Sequence, residues 1–233
     1  MSDKGIESIK VVLLGEAGVG KTSIIQQFTT HKFDPDILSS ISSQYTAKTI
    51  DFLDLNAAVK FDIWDTAGQE KYRALAKIFY KDAKIIIFVY DITSQKSFEG
   101  IKNYWLEQVK THSEKYSILA VVANKYDLYA KQQVSNEEGQ AFADEIDAIF
   151  QVTSAKTDTG ISQLFDNIGR KYLRPDFDYR AADKKAQKEY EMKKKKKEEE
   201  DEDEEEEKKK GKVKLEDIKT VDDLSNKKKK KCC

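Results

Sequence analysis

Three near-continuous apolar runs, Ile9–Leu14, Ile85–Tyr90 and Ile118–Ala123, with a weaker fourth at Ile149–Val152, constrain this chain more than any other feature. Runs this short and this rich in β-branched residues suit strands buried on both faces of a parallel sheet. Between them lie stretches of helical period: Thr22–Phe28, Phe98–Val109 with Ile101, Trp105 and Val109 on one stripe, and Ile161–Leu173. Thr46–Asp54 and Ala58–Trp64, separated by Leu55-Asn56-Ala57, suit an antiparallel hairpin at one sheet edge. Strands alternating with helices imply βαβ units and therefore a doubly wound α/β fold. In such sheets ligands bind beyond the carboxyl ends of the strands.

The pattern stops near Arg174. Overall 36% of residues are Asp, Glu, Lys or Arg, against about 25% in an ordinary globular domain. The excess lies after Ala181, where few large apolar residues remain to offset the entropy of folding. The expected organisation is an N-terminal extension over 1–8, one domain over 9–174, and a charged, disordered tail over 175–233. Over the whole chain 41 basic and 42 acidic residues nearly cancel, which gives no support for nucleic-acid binding. No signal-type segment opens the chain and no apolar run is long enough to span a bilayer, so a cytoplasmic protein is expected. The two cysteines, Cys232 and Cys233, leave no room for a disulfide framework.

Ile9–Leu14 runs directly into Gly15-Glu16-Ala17-Gly18-Val19-Gly20-Lys21-Thr22, followed by Ser23. This is G-x-x-x-x-G-K-[ST] in the context the motif requires, after a strand and opening a helix. Its glycines let backbone N–H groups turn inward around phosphates, and the helix N-terminus adds a favourable dipole. Lys21 supplies a point charge to the β- and γ-phosphates, and the Thr22 hydroxyl is a hard oxygen ligand for Mg²⁺. The bland alternative is a glycine-rich turn, which the flanking strand and helix make the weaker reading.

The strand Ile118–Ala123 ends in Asn124-Lys125-Tyr126-Asp127, and Thr153-Ser154-Ala155-Lys156 follows the weak fourth run. Taken alone, Asn124–Asp127 is an ordinary strand-to-loop turn. In this order behind a phosphate loop, the segments resemble the N-K-x-D and S-A-K motifs of the Ras-superfamily GTPases. The resemblance implies a six-stranded sheet with one antiparallel edge strand. It also implies that Asn124, Lys125, Asp127, Ser154, Ala155 and Lys156 bind guanine, with Phe33 packing against the base. Adenine would leave the Asp127 carboxylate unpaired, which is an effective form of rejection.

Asp65-Thr66-Ala67-Gly68-Gln69 matches the family's D-x-x-G followed by Gln. By that resemblance Asp65 steadies Mg²⁺, Gly68 meets the γ-phosphate, and Gln69 orients the attacking water, so hydrolysis of GTP to GDP is the implied reaction. Release of the Gly68 contact on hydrolysis is the implied switch. Counting from Lys21, the metal-binding threonine of the first switch is Ser40 here. Serine keeps the oxygen but loses the methyl group that fixes the rotamer. Ser42 replaces a family glycine, and Ala17 sits near where Gln69 and a partner's arginine must meet. Slow intrinsic turnover that depends on an activating protein is therefore expected.

Lys60–Trp64, Lys71–Leu75, Phe79–Ala83 and Phe88–Thr93 resemble signatures of the Rab branch, while Ile41–Tyr45 is a degraded form of its I-G-V-D-F element. Tyr45, Trp64 and Phe79 fall where that branch places a surface aromatic triad read by effectors. Three aromatics are otherwise core.

The tail carries Lys193–Lys197, then Glu198–Glu207, then Lys208–Lys210 as blocks of like charge, which read as solvated rather than as a single charged helix. Leu215, Ile218, Val221 and Leu224 recur every third residue, as a docking segment or a spacer. Lys227–Lys231 would be drawn to an anionic bilayer. Cys232-Cys233 is not a C-a-a-X box, but the Rab branch commonly ends in a doubly prenylated C-C. The resemblance thus implies a monomer that cycles onto an endomembrane or the plasma membrane. Its implied partners are a GTPase-activating protein, a guanine-nucleotide exchange factor, effectors, a prenylation escort and a GDP-dissociation inhibitor. Ser40 and Ala17 motivate the rival, a nucleotide-bound membrane adaptor that scarcely hydrolyses.

Overall fold

The computed structural model describes residues 6–36, 44–66, 79–112 and 117–181. In chain order its elements are β1 (Ile6–Leu14), α1 (Lys21–Thr30), β2 (Gln44–Phe52), β3 (Ala57–Asp65), β4 (Ile85–Asp91), α2 (Gln95–Gly100) and a π-helical turn (Ile101–Trp105). There follow α3 (Leu106–His112), β5 (Ile118–Asn124), a 3₁₀ segment (Tyr126–Lys131), α4 (Asn136–Glu145), β6 (Ile149–Val152) and α5 (Ile161–Leu173). The expected sites Ser40, Gly68, Gln69, Cys232 and Cys233, together with Lys71–Leu75 and the charge blocks, lie outside the described residues.

The strands form one six-stranded sheet in the order β2-β3-β1-β4-β5-β6. Every neighbouring pair is parallel except β2 with β3, the expected edge hairpin. All seven residues of β4 are buried, as the unbroken apolar run requires of a strand covered on both faces. On one face Phe28 of α1 stacks on Phe165 of α5 with centroids 3.6 Å apart, and Phe61 of β3 meets Phe165 edge-on at 5.7 Å. On the other, Tyr90, Phe98, Trp105 and Phe142 fill the space beneath α2, the π turn and α4. The chain divides into two units after Phe177. In the second, the Asp178 carboxylate accepts from the Arg180 and Ala181 N–H groups.

Four local expectations need correction. β1 begins at Ile6 rather than Ile9, pairing Ile6 with Ala58. Its first residues are exposed, so ladder hydrogen bonds extend it where no apolar signal exists. The hairpin turns at Leu53–Leu55, a 3₁₀ turn closed by Asn56 at φ 46°, because asparagine tolerates the left-handed region. The helix expected over Phe98–Val109 is longer and is interrupted by the π turn. Finally α4 was not expected, since its apolar face is thin. Its signal is the capping box Ser135-x-x-Glu138, whose Ser135 hydroxyl accepts the Glu138 N–H at 3.1 Å.

Tyr90 is wholly buried and its hydroxyl has no hydrogen-bond partner among the described residues. Burial also pushes its ionisation well above the ordinary value. A buried hydroxyl without a partner costs stability that phenylalanine does not. Tyr90→Phe is expected to raise unfolding free energy by about 1 kcal/mol, read as a higher urea midpoint at unchanged slope. A loss of stability would show that the hydroxyl is bonded.

Candidate functional site

The site forms where β1, β4, β5 and β6 end. At the end of β1 the chain turns through Gly15 at φ 152°, where an added Cβ would stand 2.2 Å from the Val89 carbonyl oxygen. Only glycine passes so close to β4. At Gly20, φ 96°, an added Cβ would meet the Asn124 side-chain nitrogen at 2.4 Å. Gly20 is also the N-cap of α1, and Lys21 begins the helix. Ala17 and Gly18 are exposed at the rim, whereas Val19 is buried beneath them. The loop thus presents backbone outward and anchors itself by one apolar side chain.

Lys21 lies under this loop. Its ammonium donates to the carbonyls of Gly15 and Glu16, each at 3.0 Å, and is almost wholly buried. Burial lowers its pKa to about 8, against the opposing fields of Asp65 and Glu16. A cation so placed needs an anion, which is what a phosphate chain supplies.

Beside it the Thr22 hydroxyl donates to Asp65 Oδ2 at 2.5 Å, joining the start of α1 to the end of β3. No group of three His, Cys, Asp or Glu side chains is poised for a metal among the described residues. A cation here would therefore take one hydroxyl, one carboxylate and otherwise ligand and water oxygens. That donor set is hard and sparse, and it fits Mg²⁺ rather than an ion that demands an all-protein cage.

Next to the loop lies a cleft of about 370 Å³ lined by Gly18, Gly20, Ser23, Phe33, Asp34, Pro35, Asn124, Lys125, Asp127, Leu128, Ala155 and Lys156. Asn124 is 1% exposed and its amide is committed within the protein. Its nitrogen donates to the Val19 carbonyl at 2.8 Å, and its oxygen accepts from the Thr153 hydroxyl at 3.1 Å and the Ala155 N–H at 3.4 Å. One side chain therefore ties the phosphate loop, the end of β5 and the loop after β6 together. The Ser154 hydroxyl donates to Asp127 Oδ1 at 2.7 Å, which holds that carboxylate in one orientation at the cleft wall.

Lys125 sits at φ 67° and its ammonium pairs with Asp91 Oδ2 at 2.8 Å. Burial pushes the Asp91 carboxyl up, but bonds from Lys125 and Thr93 outweigh it and hold the carboxyl below its ordinary value. Asp91 was not expected as a site residue, nor were Thr153, Asp34, Pro35 and Leu128. Only Asp91 carried a signal, as a charge that closes a wholly apolar strand.

Tyr45, Trp64 and Phe79 lie apart from the cleft and form a chain of rings with centroids 5.4 and 5.8 Å apart. Trp64 and Phe79 pack against the core, while Tyr45 is 52% exposed. The Tyr45 hydroxyl donates to Asp62 at 2.7 Å, and Asp62 also accepts from Ser8 and pairs with Lys60. The three aromatics are thus a half-buried surface row, neither core nor free side chains.

The buried lysine gives a pH signature in the nucleotide- and metal-free protein. Its folded pKa is depressed from 10.5 to about 8, so between those values the unfolded chain binds more protons and stability rises with pH. A rise of about 3 kcal/mol at most is expected from pH 7.5 to 10.5, and Lys21→Met should abolish that component in a chemical-denaturation series.

The comparisons with known proteins agree with this geometry. The Ras family model matches residues 10–174. Ras-related protein Rab-22A of Homo sapiens is 40% identical over 166 residues, covering 71% of this chain and 84% of that protein. Ras-related protein Rab-5A of Dictyostelium discoideum is 41% identical over 167 residues, 71% of this chain and 81% of that one. Ras-related protein RABF2b of Arabidopsis thaliana is 38% identical over 176 residues, 75% and 86% of the two chains. With the phosphate loop, the Thr22–Asp65 pair and the Asn124-braced cleft at one end of the sheet, the chain belongs to the Ras family and, within it, to the Rab branch of Ras-superfamily GTPases.

Proposed function

We propose that this protein is a GTP-hydrolysing switch that binds GTP and GDP with Mg²⁺ and recruits effectors to a cytoplasmic membrane face in vesicle and membrane trafficking. The observation that carries the nucleotide reading is the Asn124 amide, which braces a phosphate loop against a cleft holding an oriented carboxylate, Asp127. Guanine offers the paired N1–H and 2-amino donors that such a carboxylate accepts. Adenine offers neither donor there, so the carboxylate would keep only its Ser154 bond.

Each residue has a distinct task in this reading. The loop backbone from Gly15 to Gly20 and the start of α1 receive the phosphates, with Lys21 neutralising charge. Thr22 and Asp65, with Ser40, would hold Mg²⁺, which when bound would supply positive charge against that of the phosphates. Gly68 senses the γ-phosphate and Gln69 orients water. The Lys125 stem and Phe33 bound the base on either side, and the Ala155 N–H and Lys156 complete the pocket edge.

Tyr45, Trp64 and Phe79 form the effector surface, since a half-buried row of packed rings is a rigid anchor for a partner's apolar side chains. Among the described residues no helix is long and apolar enough to cross a membrane. Attachment is assigned to prenylation of Cys232 and Cys233, assisted by Lys227–Lys231. The rival reading, an adaptor with little hydrolysis, rests on Ser40 and Ala17.

Two measurements test the reading. Fluorescent GDP should bind and be displaced by GDP and GTP but not by ADP or ATP, and Asp127→Ala should weaken binding at least a hundredfold. Displacement by ATP as effective as by GTP would overturn the guanine assignment. In single-turnover assays with Mg²⁺-GTP, an activating protein should accelerate the wild-type chain and leave Gln69→Leu near zero. Equal, near-zero rates in both would favour the adaptor.

A further inference from the structure

The C-terminus of α1 is tied down from several directions. The Thr29 and Thr30 hydroxyls donate back to the Ile25 and Gln26 carbonyls at 2.8 Å each, and the His31 N–H donates to the Gln27 carbonyl at 2.9 Å. The Lys48 ammonium reaches from β2 to the Phe28 carbonyl and lies 4.4 Å over the Phe28 ring. His31 leaves the helix at φ 53°, so its side chain diverges from the helix face. There its Nδ1 meets Asp158 Oδ2 at 3.2 Å.

Asp158 belongs to the loop after β6, and it too is left-handed, at φ 56°. That loop is closed by a two-way bridge between Ser154 and Thr159 and by the Thr157–Thr159 hydroxyl pair. Its Ala155 and Lys156 line one wall of the guanine cleft. Two residues beyond His31, Phe33 lines the other wall and is 38% exposed. The His31–Asp158 contact therefore joins the two walls of the cleft from outside it.

We propose that His31 and Asp158 are a positioning pair, a clasp that holds the segment from His31 to Phe33 against the loop carrying Ala155 and Lys156, and so slows escape of the guanine nucleotide. This rests on the assignment of the cleft to guanine. Neither residue touches the ligand position. Both act by restricting how far the walls part.

Only an imidazolium makes a full ion pair with a carboxylate, whereas the neutral ring can offer at most one hydrogen bond, so the contact is strongest on the acid side. The other charged groups on the elements around it are Lys48 from β2, Lys156 from the same loop as Asp158, and Lys32 and Asp34 in its own segment. Asp158 is the one in contact with the ring. The pair is exposed, at 59% and 37%, so a modest effect is expected, about two- to fivefold.

The test is dissociation of fluorescent GDP from the full chain at fixed Mg²⁺, at pH 5.5, 6.5, 7.5 and 8.0. The variants are His31→Asn and Asp158→Asn, since asparagine keeps the left-handed backbone at both positions. Each variant should release GDP about two- to fivefold faster than wild type at pH 5.5, with the ratio falling toward one at pH 8.0. Association rates and melting temperatures without nucleotide should be unchanged within error. The double variant should match the singles, and 1 M NaCl should shrink the difference. Variant and wild-type rates that coincide at every pH, with GDP bound tightly by all, overturn the clasp and leave the guanine site standing. Failure of the wild-type chain to bind GDP overturns both.

Discussion

One buried amide carries the architecture of the nucleotide site. Asn124 ends β5, donates to the phosphate loop at Val19 and accepts from Thr153 and Ala155. These contacts join segments that are 105, 29 and 31 residues away in sequence. Buried polar groups of this kind are favourable only when every partner is in place. The phosphate loop and the base loop therefore hold one another in position. Gly20 is part of that geometry, because a side chain there would collide with the amide.

Around this brace the fold supplies rigid supports. β4 is buried throughout and delivers Asp91 to its carboxyl end, where it pairs with Lys125. β3 delivers Asp65 to Thr22 at the opening of α1. β3, β4 and β5 therefore each end in a polar side chain at the carboxyl edge of the sheet, which is the general location of ligand sites in open α/β sheets. Lys21 is a cation buried at a cost, which an anion bound at the loop would offset.

Much of this was legible in the chain. The four apolar runs located β1, β4, β5 and β6, and the spacing of glycines with Lys21 and Thr22 identified the phosphate loop. The order of Asn124-Lys125-x-Asp127 and Ser154-Ala155-Lys156 pointed to guanine. Elements with weak apolar faces were harder to see. β1 was expected three residues short because Ile6–Ser8 are exposed, and α4 escaped because only Gly139, Phe142 and Ala143 of its ten residues are buried. The π turn at Ile101–Trp105 has no local signature, since Ile101 and Trp105 are buried and Lys102 and Asn103 exposed, as in an ordinary amphipathic helix.

What the sequence by itself determined was therefore the set of chemical groups and the local conformations that need particular residues. Glycine at the turns, lysine under the loop and uninterrupted Val and Ile in the strands act over a few residues, and spacing suffices to read them. Only the tertiary structure decided that Asn124 is a cross-brace, that Asp91 anchors Lys125, that Tyr45 bonds Asp62, and that His31 meets Asp158 across 127 residues. Those contacts depend on which strand ends stand side by side. Strand order is set by crossovers and sheet packing, and no local pattern in the chain records it.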